Sequence, residues 1–200
     1  MPLPAFATGE PFTAAAANLI ARQGLITVTS ELERDALASP HEGMVCYVEA
    51  TATYYHYSNG GWRVFYATSR PYDAVGSHVT VGNGQLDAEW SQVGRELRWS
   101  LRFVLGSTSA ITGGLPFKLP ILPARAGEGR PVVVGIAAML DASTSGAAGR
   151  RAGTVITNYS TELQQVQTLF HDGSFVNAST PWAWAPGDVL DMAGSYQVAD

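Results

Sequence analysis

The sequence predicts a mainly β protein: short N-terminal helices and a three-stranded meander over residues 1–76, then a C-terminal β-sandwich of jelly-roll type over residues 77–200. Apolar Leu97, Trp99, Leu101, Phe103 and Leu105 alternate with polar Glu96, Arg98, Ser100 and Arg102, and Val93 keeps the same phase. That is the period of a long strand with one wet face. The 21 Gly and 11 Pro supply the punctuation that short strands need. A hydrophobic content of 46% is enough to bury a core, while only 14% of residues are charged.

The elements follow in order. Residues 13–22 suit an amphipathic helix, with Thr13 as N-cap and Gly24 as its stop. Leu25 to Thr29 is a brief β-branched strand. Ser30 and Glu33 have the spacing of a capping box, so a second helix is expected to run to about Ala38, before Pro40. The meander takes residues 44–49, 54–57 and 62–66, with Asn59-Gly60 as a tight hairpin turn. So small a unit has little core of its own. Residues 69–76 read as a connector.

In the C-terminal part, Leu115, Phe117, Leu119 and Ile121 alternate with Pro116, Lys118 and Pro120, an edge strand with prolines on its outward side. Residues 132–140 are apolar on both faces, as in a strand covered on both sides. Leu190, Met192, Tyr196 and Val198 form a last alternating strand, and residues 78–81, 154–158 and 166–170 are further strands. About eight strands in so short a span suit a sandwich or jelly roll.

Several functions are disfavoured by what the chain lacks. The net charge is −5 and the basic residues form no run, so no nucleic-acid partner is expected. No window approaches about 18 uninterrupted apolar residues, so no membrane insertion is expected. Residues 1–17 lack the features of a signal peptide, and Cys46 stands alone, so synthesis and folding in a reducing cytoplasm are expected. The histidines, His41, His56, His78 and His171, show no metal-ligand spacing. Cys46 alternates with Met44 and Val48 as a small buried hydrophobe, and His56 suits a cross-strand partner. No nucleophile elbow or phosphate-cradling loop occurs, and Asp188 reads as a turn residue and Asp191 as wet-face. No catalysis, cofactor or metal is expected.

Binding features are more visible. Trp182 and Trp184, beside Pro181 and Pro186, suit stacking on sugar from one strand face, or filling the core or a subunit contact. Tyr54, Tyr55 and Tyr57 invite the same pair of readings. Residues 141–153 hold Ser143, Thr144, Ser145, Arg150 and Arg151 with nothing to bury. Such a loop at one end of a sandwich is either plainly solvated or a place where recognition varies without harming the core.

The order of several short motifs carries a resemblance. Residues 13–18 (Thr-Ala-Ala-Ala-Ala-Asn) and Gln23 lead to Glu33-Arg34-Asp35-Ala36-Leu37, Pro40, Glu42-Gly43-Met44-Val45, Tyr47-Val48, Tyr57 and Gly61-Trp62. This run is similar to the opening of bacteriophage minor tail proteins, particularly those of phages infecting actinobacteria. Val81-Gly82-Asn83-Gly84, Trp90, Val93-Gly94-Arg95, Leu105-Gly106-Ser107-Thr108, Gly113 and Leu119-Pro120 resemble the C-terminal β domains of tail proteins. The resemblance implies a virion structural protein of the tail tip, baseplate or fibre, a homotrimer contacting other virion tail proteins, with its β domain facing a host-surface glycan or cell-wall polymer. It implies no catalytic residues. With no long shaft or collagen-like repeat here, a short fibre or compact tip subunit is expected. Head decoration and a stand-alone carbohydrate-binding module are the alternatives.

Overall fold

The computed structural model describes residues 25–114, 117–126, 128–157 and 164–199. The expected helix over residues 13–22, and Leu115, Pro116 and Asn158 of the expected strands, lie outside the described residues. The chain divides into two compact units, Met1–Ala67 and Thr68–Asp200.

The first unit holds β1 (Ile26–Val28), α1 (Glu31–Asp35), β2 (Val45–Val48), β3 (Thr53–Ser58) and most of β4 (Gly61–Pro71). Ser30 Oγ accepts from the Glu33 amide at 3.2 Å, while the Glu33 carboxylate accepts from the Thr29 amide at 2.8 Å. The reciprocal cap therefore forms, with its acidic half reaching one residue further back. The helix stops at Asp35 rather than near Ala38: the Leu37 amide bonds back to Arg34 O, and Ser39 turns the chain at φ 53°. Leu37 is thereby laid against the small core of Cys46, Val48 and Tyr55.

β1 pairs in parallel with β2, so the order is β1-β2-β3-β4 and the expected three-stranded meander gains a fourth strand. Asn59 and Gly60 both take positive φ in the β3–β4 turn, as a tight hairpin demands. β4 continues through Ser69, Arg70 and Pro71, residues expected to be connector.

The second unit holds β5 (Val79–Thr80), β6 (Gln85–Val93), β7 (Glu96–Val104), β8 (Ala110–Ile111), β9 (Phe117–Lys118), β10 (Val133–Leu140), β11 (Arg150–Thr157), β12 (Gln165–Leu169) and β13 (Val189–Gln197). The order in its main sheet is β6-β7-β13-β10-β11-β12-β9, with β5 and β8 paired separately. The alternation at Leu97, Trp99, Leu101 and Phe103 holds, and all are buried. Val93 does not share it: it is 61% exposed, because Gly94 (φ 56°) reverses the chain and makes the preceding residues a separate strand, β6. The edge strand expected over residues 115–121 shrinks to Phe117–Lys118, although Phe117 and Leu119 are buried as their alternation implies.

β10 departs most from expectation. Val134, Ala137 and Met139 are buried, but Val133 and Ile136 stand open, Ile136 at 71% exposure. This strand is covered on one face only. A register shift against β11 between Val133 and Gly135 marks its start. Here the backbones of β10 and β13 approach so closely that a Cβ on Gly194 would collide with Val134 O, and one on Gly135 with Ala193 O. The Trp99 indole N–H donates to Val134 O at 3.1 Å, satisfying a buried carbonyl at this point.

The Lys118 amide donates to Ala74 O, Val75 bridges Phe117, and the Tyr72 amide donates to Ala88 O. Backbone hydrogen bonds thus run from β6 through to β9 and, by way of residues 72–75, return to β6. Phe103 and Phe117 meet edge to face inside, centroids 5.6 Å apart. The protein is mainly β, built on a large mixed sheet, with one α-helix among the described residues.

Candidate functional site

Two loop segments of the second unit converge on one buried carboxylate. β10 delivers the chain to Asp141, whose carboxylate accepts from the Ser143 amide at 2.8 Å, Ser143 Oγ at 2.6 Å and Thr144 Oγ1 at 2.8 Å. These bonds favour the charged form and hold the Asp141 pKa below its ordinary value, the Ser143 hydroxyl contributing most. A 3-10 turn, Gly146–Gly149, then returns the chain to β11, and the Asp141 amide closes the loop on Gly149 O at 2.8 Å. Gly149 has to be glycine, because a Cβ would collide with Thr144 O.

The second segment, residues 177–187, precedes β13. Trp182 and Trp184 lie in this loop, not on a strand face, with ring centroids 5.8 Å apart and planes tilted by 56°. Both are half-buried. The Trp184 indole N–H donates to Asn177 O at 2.8 Å, whereas Trp182 Nε1 is buried with no hydrogen-bond partner among the described residues.

Asp188 joins the two segments. It is 1% exposed; Oδ1 accepts from the Ala142 amide at 2.9 Å and Oδ2 from the Ala185 amide at 2.8 Å. A carboxylate accepting two backbone amides in a buried site is a strong clamp, because charge-assisted bonds exceed neutral ones. The polar loop and the tryptophan loop, singled out separately in the sequence, are therefore neighbours. Asp188 is in a turn as expected, but its wider role was missed; Pro186-Gly187-Asp188 signals the turn and nothing in the sequence signals the remote Ala142 amide.

The remaining candidates scatter. Ser143 and Ser145 are exposed and Thr144 half-buried, with the Ser143 and Thr144 hydroxyls engaged by Asp141. Arg150 and Arg151 begin β11 at successive positions, opposite Leu140 and Met139, so they start on opposite faces. Arg151 bends back to Ala148 O and Arg150 O.

In the first unit the tyrosines divide. Tyr55 enters the core, its hydroxyl donating to Glu31 at 2.6 Å, and Tyr57 meets Trp62 edge-on at 5.3 Å. Tyr54 instead stands in a cross-strand row with Tyr47 and Tyr66, at 4.6 and 6.2 Å. Cys46 is buried, which raises its thiol pKa. His56 faces Phe65 edge-on at 6.3 Å.

A second concave surface lies on the outer side of β6, β7, β13 and β10, a trough of about 700 Å³. Glu89, Ser100, Arg102 and Asp191 line it together with Ile136 and Ala138. Among the described residues, no group of three His, Cys, Asp or Glu side chains is placed to hold a metal ion, and no helix is long and apolar enough to cross a membrane. Comparison with known proteins finds no matching family model, curated protein or solved structure.

Proposed function

We propose that the chain is a structural subunit of a phage virion, at the tail tip, baseplate or in a short fibre, and that its second unit contacts the host surface through the loop end described above. The observation that carries this reading is the Asp188 clamp. It fixes two exposed segments, one polar and one aromatic, to the end of a well-packed sheet. Recognition surfaces are commonly loops positioned by a rigid scaffold, and a fixed loop loses less entropy on binding than a free one. The returning circuit of backbone hydrogen bonds and the Phe103–Phe117 contact across the interior support a jelly-roll-like arrangement of that scaffold. The small core of the first unit supports self-association, which we propose to be that of a homotrimer.

Immunogold labelling of intact particles tests the assignment. Label at the tail end is the expected result; label confined to the capsid would make the chain a head decoration protein, and no label would remove it from the virion. The half-buried tryptophan pair also favours a stand-alone carbohydrate-binding module. Sugar binding by the purified chain, with no label on particles, selects that alternative.

A further inference from the structure

Outward-facing side chains of the second unit's sheet form two cross-strand rows. One runs Asp87, Arg102, Asp191, Ala138 over β6, β7, β13 and β10; the next runs Glu89, Ser100, Ala193, Ile136. All of them line the trough of about 700 Å³, a volume within the range of small-molecule sites. One end is therefore paved with small aliphatic groups and the other with alternating acceptors and donors.

The polar end is held in place but not saturated. Ser69 Oγ donates to Glu89 at 2.7 Å and Gln85 Nε2 to Asp87 at 2.6 Å. The ion pair between Arg102 Nε and Asp191 Oδ1 is loose, at 3.8 Å, with both side chains about half-exposed or more. A carboxylate has about four lone-pair sites and a guanidinium five donors, so every member of the row keeps capacity for a ligand.

The chemistry of an occupant follows by elimination. An anion meets three carboxylates, Asp87, Glu89 and Asp191, against two guanidiniums, Arg102 and Arg70, the latter stacked on Trp90. A cation meets Arg102 between two of those carboxylates. A wholly apolar body strips water from five charged groups, Arg70 among them, and returns no hydrogen bonds, which is costly. A ligand whose hydroxyls both donate and accept satisfies Arg102, Ser100 and the carboxylates together, while its C–H face covers Ile136, Ala138 and Ala193.

We propose that this trough is a binding site for a neutral oligosaccharide, separate from the tryptophan loop. The site is independent of the host-contact reading of the loop end. The labelled full chain, tested on an array of neutral, acidic and amino oligosaccharides, is expected to retain neutral members. A neutral glycan so identified is then titrated against variants. Arg102→Ala and Ile136→Asp are each expected to weaken binding at least tenfold with the thermal midpoint little changed, and Trp182→Ala to leave it within twofold. Retention of only charged sugars, of none, or of neutral sugars insensitive to both trough variants overturns the proposal. So does a change of sedimentation mass with Arg102→Ala at unchanged sugar binding, which makes the trough a contact between copies. None of these outcomes alters where the protein is found on a particle.

Discussion

The two units apply one pattern at different scales. In the first, alternation along β2 and β3 buries Cys46, Val48 and Tyr55, while Ile26, Val28, Leu37, Trp62 and Val64 are only partly covered. In the second, the same alternation buries Leu97, Phe103, Leu190, Met192, Phe117 and Val166 at or below 2% exposure. The difference lies in enclosure. A sheet presenting one face to a short helix leaves its apolar residues half wet, whereas strands whose hydrogen bonds return on themselves shut water out. Burial of each large side chain is worth about 1.5–3 kcal/mol, so among the described residues the second unit gathers many such contributions and the first few.

Truncation in each core sharpens that contrast and carries the largest expected effect. Phe103→Ala removes a buried ring packed edge-on against Phe117 and is expected to cost about 3–5 kcal/mol. Val48→Ala, at the centre of the small core, is expected to cost about 2 kcal/mol. Denaturant unfolding followed by tryptophan fluorescence reads both: Trp62 reports on the first unit and Trp90 and Trp99 on the second. A loss for Phe103→Ala no larger than that for Val48→Ala would contradict the close packing of Phe103 against Phe117.

What was legible in the sequence followed the same divide. Period-two alternation reports which side of a strand is buried, so Leu97 to Phe103 and Leu190 to Tyr196 were readable. It does not report what covers the other side. Residues 132–140 looked covered twice because Val133, Ile136 and Leu140 are as apolar as Val134 and Met139, yet those three are exposed. Turn chemistry fixed Asn59-Gly60 correctly but gave less weight to Gly94, whose positive φ separates β6 from β7. The loop and the tryptophans were visible as compositions. Their adjacency was not, because it depends on Asp188 reaching an amide 46 residues away in the chain.

Breaking that clamp is the next largest effect, and it separates scaffold from loops. Asp188→Ala removes the charged acceptor of the Ala142 and Ala185 amides in a partly buried site, for an expected loss of about 1.5–3 kcal/mol. Hydrogen exchange should speed up at Ala142 and Ala185 while β7 amides paired with β13 stay protected. Uniform deprotection across the sheet would show instead that Asp188 supports the fold as a whole.

The smallest expected effect concerns Asp141, whose bonds lie wholly within one loop. Its folded-state pKa is depressed by the Ser143 and Thr144 hydroxyls and amides. A depressed carboxylate contributes stability above its unfolded pKa, and that contribution is lost as pH falls through the folded value. The polar loop should therefore loosen on acidification below the ordinary carboxylate range, seen as faster exchange, relative to the intrinsic rate, at the Ser143 amide. Asp141→Asn should show exchange there with little further acid dependence. The Ala185 amide, held by Asp188 and not by Asp141, should not follow Asp141, and if both amides loosen together in the wild type but not in Asp141→Asn, then the two loops answer to one titration and the clamp transmits it.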